Sequence, residues 1–178
     1  MARIVGYIAS SLDGFIATHS GGIDWLTKDR GDTGEAGDHG YGEFIKTIGT
    51  VVMGRATYDW IVEHSDAWPY PGKRNIVVTS RPIENPKAEI LIRPDVAALI
   101  GELRAFEDGN VWMLGGGQLQ MAFIERGGLD SIEIFIAPEI IGGGIPLFPP
   151  TGFEKTVKLL SATSVGGVFV RLEYGFAD

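Results

Sequence analysis

Val111-Trp112-Met113-Leu114-Gly115-Gly116-Gly117-Gln118-Leu119-Gln120-Met121-Ala122-Phe123-Ile124 joins a short apolar run to an apolar-periodic stretch through three consecutive glycines. The run reads as a buried strand and the stretch as a helix. Glycine lets backbone approach a ligand closely, and the helix start at Gln118 and Leu119 aims unpaired N–H groups outward. Such a junction favours an anion, usually a nucleotide phosphate. The alternative is that Gly115, Gly116 and Gly117 only permit tight packing of helix on sheet.

Two further strand ends carry similar groups. Val51-Val52-Met53-Gly54-Arg55-Ala56-Thr57-Tyr58 is again a strand meeting a helix through glycine. There Arg55 offers a planar fork and Thr57 a hydroxyl for a phosphate. Taken alone, Arg55 reads better as an exposed arginine of a first helical turn, where arginines are common. The third end is Asn75 to Thr79, a strand rich in β-branched residues, followed by Ser80-Arg81-Pro82. Open α/β sheets bind ligands beyond the carboxyl ends of their strands. Glycine, hydroxyl and guanidinium groups at three such ends point to one extended polyanionic ligand. The glycines do not form a G-x-G-x-x-G fingerprint, since Gln120 takes the last glycine's place, and the chain has no G-x-x-x-x-G-K-[ST] loop.

The rest of the chain supports an α/β domain. Ile4 to Ser10 reads as a first buried strand. A long Gly-, Asp-, Ser- and Thr-rich segment runs from Ser11 to about Gly40, the length of a functional lid or a disordered stretch. Its Gly21-Gly22-Ile23-Asp24-Trp25-Leu26 carries large apolar side chains that are costly to leave in water. It reads either as a loop folded over a ligand or as a surface loop anchored by Trp25. Helices are expected at Tyr41–Ile48 and Arg55–Val62, and from an Asp95 N-cap to about Phe106. Further strands are expected at 89–92 and 131–137. Gly142-Gly143-Gly144-Ile145-Pro146 reads as a loop, and two final strands (156–163 and 167–176) follow without a helix between them. Alternating strands and helices predict one domain over residues 1–178. Its central sheet is mostly parallel and twisted, covered by helices on both faces, with an antiparallel C-terminal edge.

Composition removes several function classes. The chain has 178 residues, 44% hydrophobic and 21% charged, and a formal net charge of −8. That balance argues against general nucleic-acid binding, which needs a basic surface. No apolar run approaches the length of a membrane span, and the N-terminus lacks the pattern of a secretory signal. There is no cysteine, and His19, His39 and His64 show no metal-ligand spacing, so no metal is expected and a cytoplasmic location fits best.

In order, these motifs resemble the dihydrofolate reductase fold family. They are Leu12-Asp13-Gly14-Phe15-Ile16-Ala17, Gly22-Ile23-Asp24-Trp25, Met53-Gly54-Arg55-x-Thr57, Pro71 through Ser80 and the triple glycine. The resemblance covers nearly the whole chain and implies NADPH as cofactor. It implies that Arg55, Thr57, Thr79, Ser80 and Arg81 flank the adenosine phosphate region. It also implies that Gly116 and Gly117 receive the pyrophosphate, that Ala9 and Ile16 lie near the nicotinamide, and that 16–25 is a mobile lid. Folate reductases carry an acid on the helix after the lid, for which Asp38 and Glu43 are the candidates here. Departures at Gln118, Gln120 and Ile136 set the chain apart from true folate reductases. The stretch from Gly128 to Phe148 is similar instead to the reductase domain of the riboflavin-pathway deaminase–reductases. That resemblance implies hydride transfer from NADPH to a small heterocycle in a homodimer. A true dihydrofolate reductase and a nucleotide-binding module without turnover are the alternatives.

Overall fold

The computed structural model describes residues 1–28 and 38–176, so part of the long segment from Ser11 to Gly40 lies outside the described residues, while the expected lid at 16–25 lies within them. In chain order the strands are β1 (Ile4–Ser10), β2 (Phe15–Ala17), β3 (Ile48–Gly54), β4 (Arg74–Val78), β5 (Leu91–Arg93), β6 (Asn110–Gly115), β7 (Ser131–Ile136), β8 (Ile145–Pro146), β9 (Lys158–Val165) and β10 (Phe169–Gly175). The helices are α1 (Tyr41–Lys46), α2 (Arg55–His64), α3 (Val96–Arg104) and α4 (Gly117–Glu125). Eight strands form one sheet in the order β5-β4-β3-β6-β1-β7-β10-β9. Pairings from β5 to β7 are parallel, while β10 and β9 add the antiparallel edge.

The central strands are apolar at nearly every position because helices cover both faces. On β3, Val52 joins a core built with Leu99, Leu103, Leu119 and Phe123 of α3 and α4. Its neighbours Val51 and Met53 turn the other way, onto Tyr58 and Ile61 of α2. The same alternation separates Ile76 from Val77 on β4 and Met113 from Trp112 on β6. Asp95 caps α3 by accepting hydrogen bonds from the backbone N–H groups of Ala97 and Ala98, as its position predicts.

The structure refines the expectation for the glycine loop after β7. Ile145 and Pro146 form a short strand, β8, paired with β2. A Cβ placed on Gly144 would lie 2.1 Å from the Ala17 carbonyl oxygen, which only a glycine permits. The loop therefore packs against the first part of the lid. Asp13 fixes it from the other side: its carboxylate accepts from Ile141 N at 3.2 Å and from Gly142 N at 2.8 Å.

Candidate active-site cleft

β3 and β6 are neighbours, yet their following helices leave to opposite faces, α2 to one and α4 to the other. Divergence of this kind opens a crevice at the carboxyl edge of the sheet. A cleft of about 840 Å³ lies there. Its floor is made by Gly54, Arg55, Ala56 and Thr57 at the start of α2, and by Gly116, Gly117, Gln118 and Leu119 at the start of α4. Ile16 and Ala17 of β2, Ile145 of β8, and His19, Ser20, Gly21 and Ile23 of the lid form the opposite wall.

Neither Gly54 nor Gly116 caps its helix with a side chain, and neither helix has an acidic residue in its first turn. The leading N–H groups of α2 and α4 thus lack side-chain partners at the same end of the sheet. The two helix starts are close together. A Cβ on Gly116 would stand 3.6 Å from Thr57 Oγ1, and one on Gly54 would stand 3.8 Å from the Gly115 carbonyl oxygen. Gly117 admits the closest approach, since a Cβ there would lie 2.6 Å from the Pro146 carbonyl oxygen. Two positive dipole ends side by side make an anion cradle without need of a net positive protein.

Arg55 is the cation of this cradle. Its Nε donates to Asp59 Oδ1 at 2.8 Å and its Nη1 to the Pro82 carbonyl at 3.1 Å. A guanidinium has five N–H donors, so a free edge remains for an anion. The Pro82 contact brings the turn after β4 beside Arg55. In that turn Thr79 Oγ1 accepts from Arg81 N at 3.1 Å, while Ser80 and Arg81 are exposed. Thr79, Ser80 and Arg81 therefore flank Arg55 without lining the cleft, and Val78 is the β4 residue in its wall.

The remaining candidates separate. Ile16 lines the cleft, whereas Ala9 lies behind it at the end of β1, opposite Phe135. Gly115 ends β6 with φ +133°, a conformation that favours glycine, and its peptide bond to Gly116 is cis. Asp38 precedes α1 and accepts hydrogen bonds from Gly40 N (3.0 Å) and Gly42 N, so its carboxylate holds the start of that helix. Glu43 faces solvent and pairs with Lys46. Neither Asp38 nor Glu43 is in the cleft wall. The structure adds Ala56, Trp60 and Ile145, which the sequence reading passed over. Ile145 belongs to the expected glycine loop but pairs with Ala17, and no local signal marks Trp60 within the α2 pattern. Among the described residues no group of three His, Asp or Glu is arranged to hold a metal ion.

Beside the cleft, on the α1 side of the sheet, an aromatic cluster surrounds Tyr7. Its ring stacks on Phe44 at 4.2 Å and lies 4.8 Å from Phe135. Burial, reinforced by the Glu133 carboxylate, pushes the Tyr7 phenol up to about 12. Glu133 is itself raised above the usual carboxylate range by burial, although Arg171 donates to it at 2.8 Å. Trp25 is buried against Phe135, Ala137 and Phe169, which anchors the lid to the same face.

Comparison with known proteins agrees with the fold. The RibD C-terminal domain family matches residues 3–170. The uncharacterized protein YwjB of Bacillus subtilis is 34% identical over 97% of both chains. A putative riboflavin biosynthesis protein from Shewanella superposes with a TM-score of 0.83 at 27% identity, covering 98% of each chain. An NADP(H)-bound dihydrofolate reductase of Enterococcus faecalis shares the fold, with a TM-score of 0.68 at 19% identity over 97% of this chain and 95% of that one.

Proposed function

The chain belongs to the RibD C-terminal domain family, and from that premise we propose that it is an NADPH-dependent reductase acting on a small planar heterocycle of the aminopyrimidine kind. The observation that carries this reading is the meeting of two helix starts without side-chain caps, beside Arg55, at one sheet edge. The residues fit the cofactor's charges. N–H groups at the start of α4 suit a pyrophosphate, and the Arg55 fork with the exposed Ser80 and Arg81 beside it suits the 2′-phosphate. Bound NADPH supplies the hydride. The protein's share is to orient the nicotinamide beside Ile16 and to exclude water with the lid. Asp38, whose carboxylate holds the start of α1 outside the cleft wall, and Glu43, turned to solvent beside Lys46, are assigned no step.

We further propose that two copies pair through the C-terminal edge. β9 is an edge strand, paired with β10 on one side and with no strand on the other among the described residues; it carries exposed Leu159 and Leu160, with Val170 exposed on β10. Light scattering after size exclusion reads this directly. A chain without cysteine suits the reducing cytoplasm.

The test of function is NADPH oxidation, followed at its nicotinamide absorbance, across a panel of aminopyrimidines and pteridines. Turnover of an aminopyrimidine supports the proposal. Fast turnover of dihydrofolate with tight methotrexate inhibition makes the protein a folate reductase. NADPH binding without oxidation of any kind makes it a binding module.

A further inference from the structure

Trp60 is, among the described residues, the one indole or phenyl ring in the cleft wall. Its orientation is fixed from two sides. The His64 imidazole stacks on it at 4.3 Å and 11°, and His64 is itself held by a 2.9 Å contact between Nδ1 and the Trp60 carbonyl. Across the cleft mouth the lid crosses the pyrrole edge at Gly21, where a Cβ would lie 3.5 Å from Trp60 Cδ1. Gly21 has φ +84°, so a residue without a side chain suits this crossing.

Trp60 lies five residues along α2 from Arg55, about 7.5 Å farther from the helix start. Arg55 opens α2 at the phosphate end of the cleft, and Trp60 stands farther along it against Gly21 of the lid. A partly exposed, preoriented indole at that place is a stacking surface for a flat ring. We propose that Trp60 is a substrate-binding residue, with the pyrimidine or similar heteroaromatic ring of the substrate lying on the indole face opposite His64, beside Gly21. This inference rests on the reductase reading and adds the residue that holds the planar ring.

5,6-Diaminouracil is a suitable probe, titrated calorimetrically into the protein saturated with NADP⁺, in wild type, Trp60→Phe and Trp60→Ala. Stacking on an aromatic side chain predicts about a tenfold weaker affinity for Trp60→Ala and less than a threefold change for Trp60→Phe. NADPH affinity stays within about twofold in both variants, because Trp60 is placed away from the phosphate cradle. Three results overturn the proposal: no saturable binding of the probe to the wild-type complex, a loss below threefold in Trp60→Ala, or a parallel loss of NADPH affinity. Thermal unfolding of each variant shows whether the fold is intact, and Trp60→Phe keeps the test open if Trp60→Ala is unstable. Failure of the wild-type protein to bind NADPH at all strikes the reductase reading instead.

Discussion

Arg55 and Asp59 sit one turn apart on α2 and form an ion pair of 2.8 Å that holds the guanidinium at the cleft edge. Asp59 is half exposed, so the pair adds little to stability. Its consequence is directional, because Asp59 and the Pro82 carbonyl together fix the fork. Arg55→Ala is expected to weaken NADPH binding roughly 10- to 100-fold, from the 1.5–3 kcal/mol of a hydrogen bond to a charged group, and to leave NADH binding nearly unchanged. Asp59→Asn should give a smaller loss of the same preference. Fluorescence titration with the two cofactors measures both, and equal loss for NADPH and NADH in Arg55→Ala would remove Arg55 from the 2′-phosphate.

The glycine loop gives a paired test of backbone packing. Gly144→Ala puts a Cβ 2.1 Å from the Ala17 carbonyl oxygen, whereas a Cβ on Gly142 meets nothing within 4 Å. Overpacking and backbone strain at Gly144 should cost about 1–3 kcal/mol and detach β8 from β2. Gly142 has φ +75°, so Gly142→Ala should cost only the roughly 1–2 kcal/mol of a left-handed residue. Denaturant midpoints compare the two, and a smaller loss at Gly144 than at Gly142 would contradict the docking.

Asp13 ties the turn after β1 to Ile141 and Gly142. Its carboxyl is held below the usual carboxylate value, first by the Ser11 hydroxyl and then by those backbone N–H groups. A depressed folded value means that the stabilisation is complete above the unfolded carboxylate pKa and is lost as pH falls through the folded one. Hydrogen exchange at Ile141 and Gly142 should therefore stay protected at neutral pH and rise in Asp13→Ala. Unchanged protection in the variant would show that the β2–β8 pairing alone holds the loop.

Glu133 has the opposite sign. Burial raises its carboxyl and Arg171 only partly offsets this. A raised folded value contributes stability at low pH that is lost as pH rises through it. Relative to Glu133→Gln, the wild type should lose stability as pH rises from the unfolded carboxylate value, about 4.3, toward neutrality. Unfolding free energies across that window decide the matter. The reverse trend would mean that the Arg171 ion pair outweighs desolvation.

Much of the fold was legible because its signals are local. The apolar runs at 4–10 and 111–114, the Asp95 cap and the glycine at each strand–helix junction all coincide with elements of the structure. Gly54, Arg55, Thr57 and Gly116 through Leu119 were legible as one site because neighbouring strands bring their C-terminal ends together. Long-range consequences were harder to read. The pairing of Ile145 with Ala17 depends on a loop meeting a segment far away in sequence. The exposure of Trp60 to the cleft depends on which face of α2 is left uncovered. Asp38 had the residue type of a proton donor, but the sequence could not show its carboxylate bonded to the start of α1.

The decisive measurement is a crystal structure grown with NADPH. It should show the pyrophosphate on the N–H groups that open α4, the 2′-phosphate against Arg55, and the nicotinamide near Ile16. Clear density for the cofactor elsewhere, or an open and empty cleft at saturating NADPH, would contradict it.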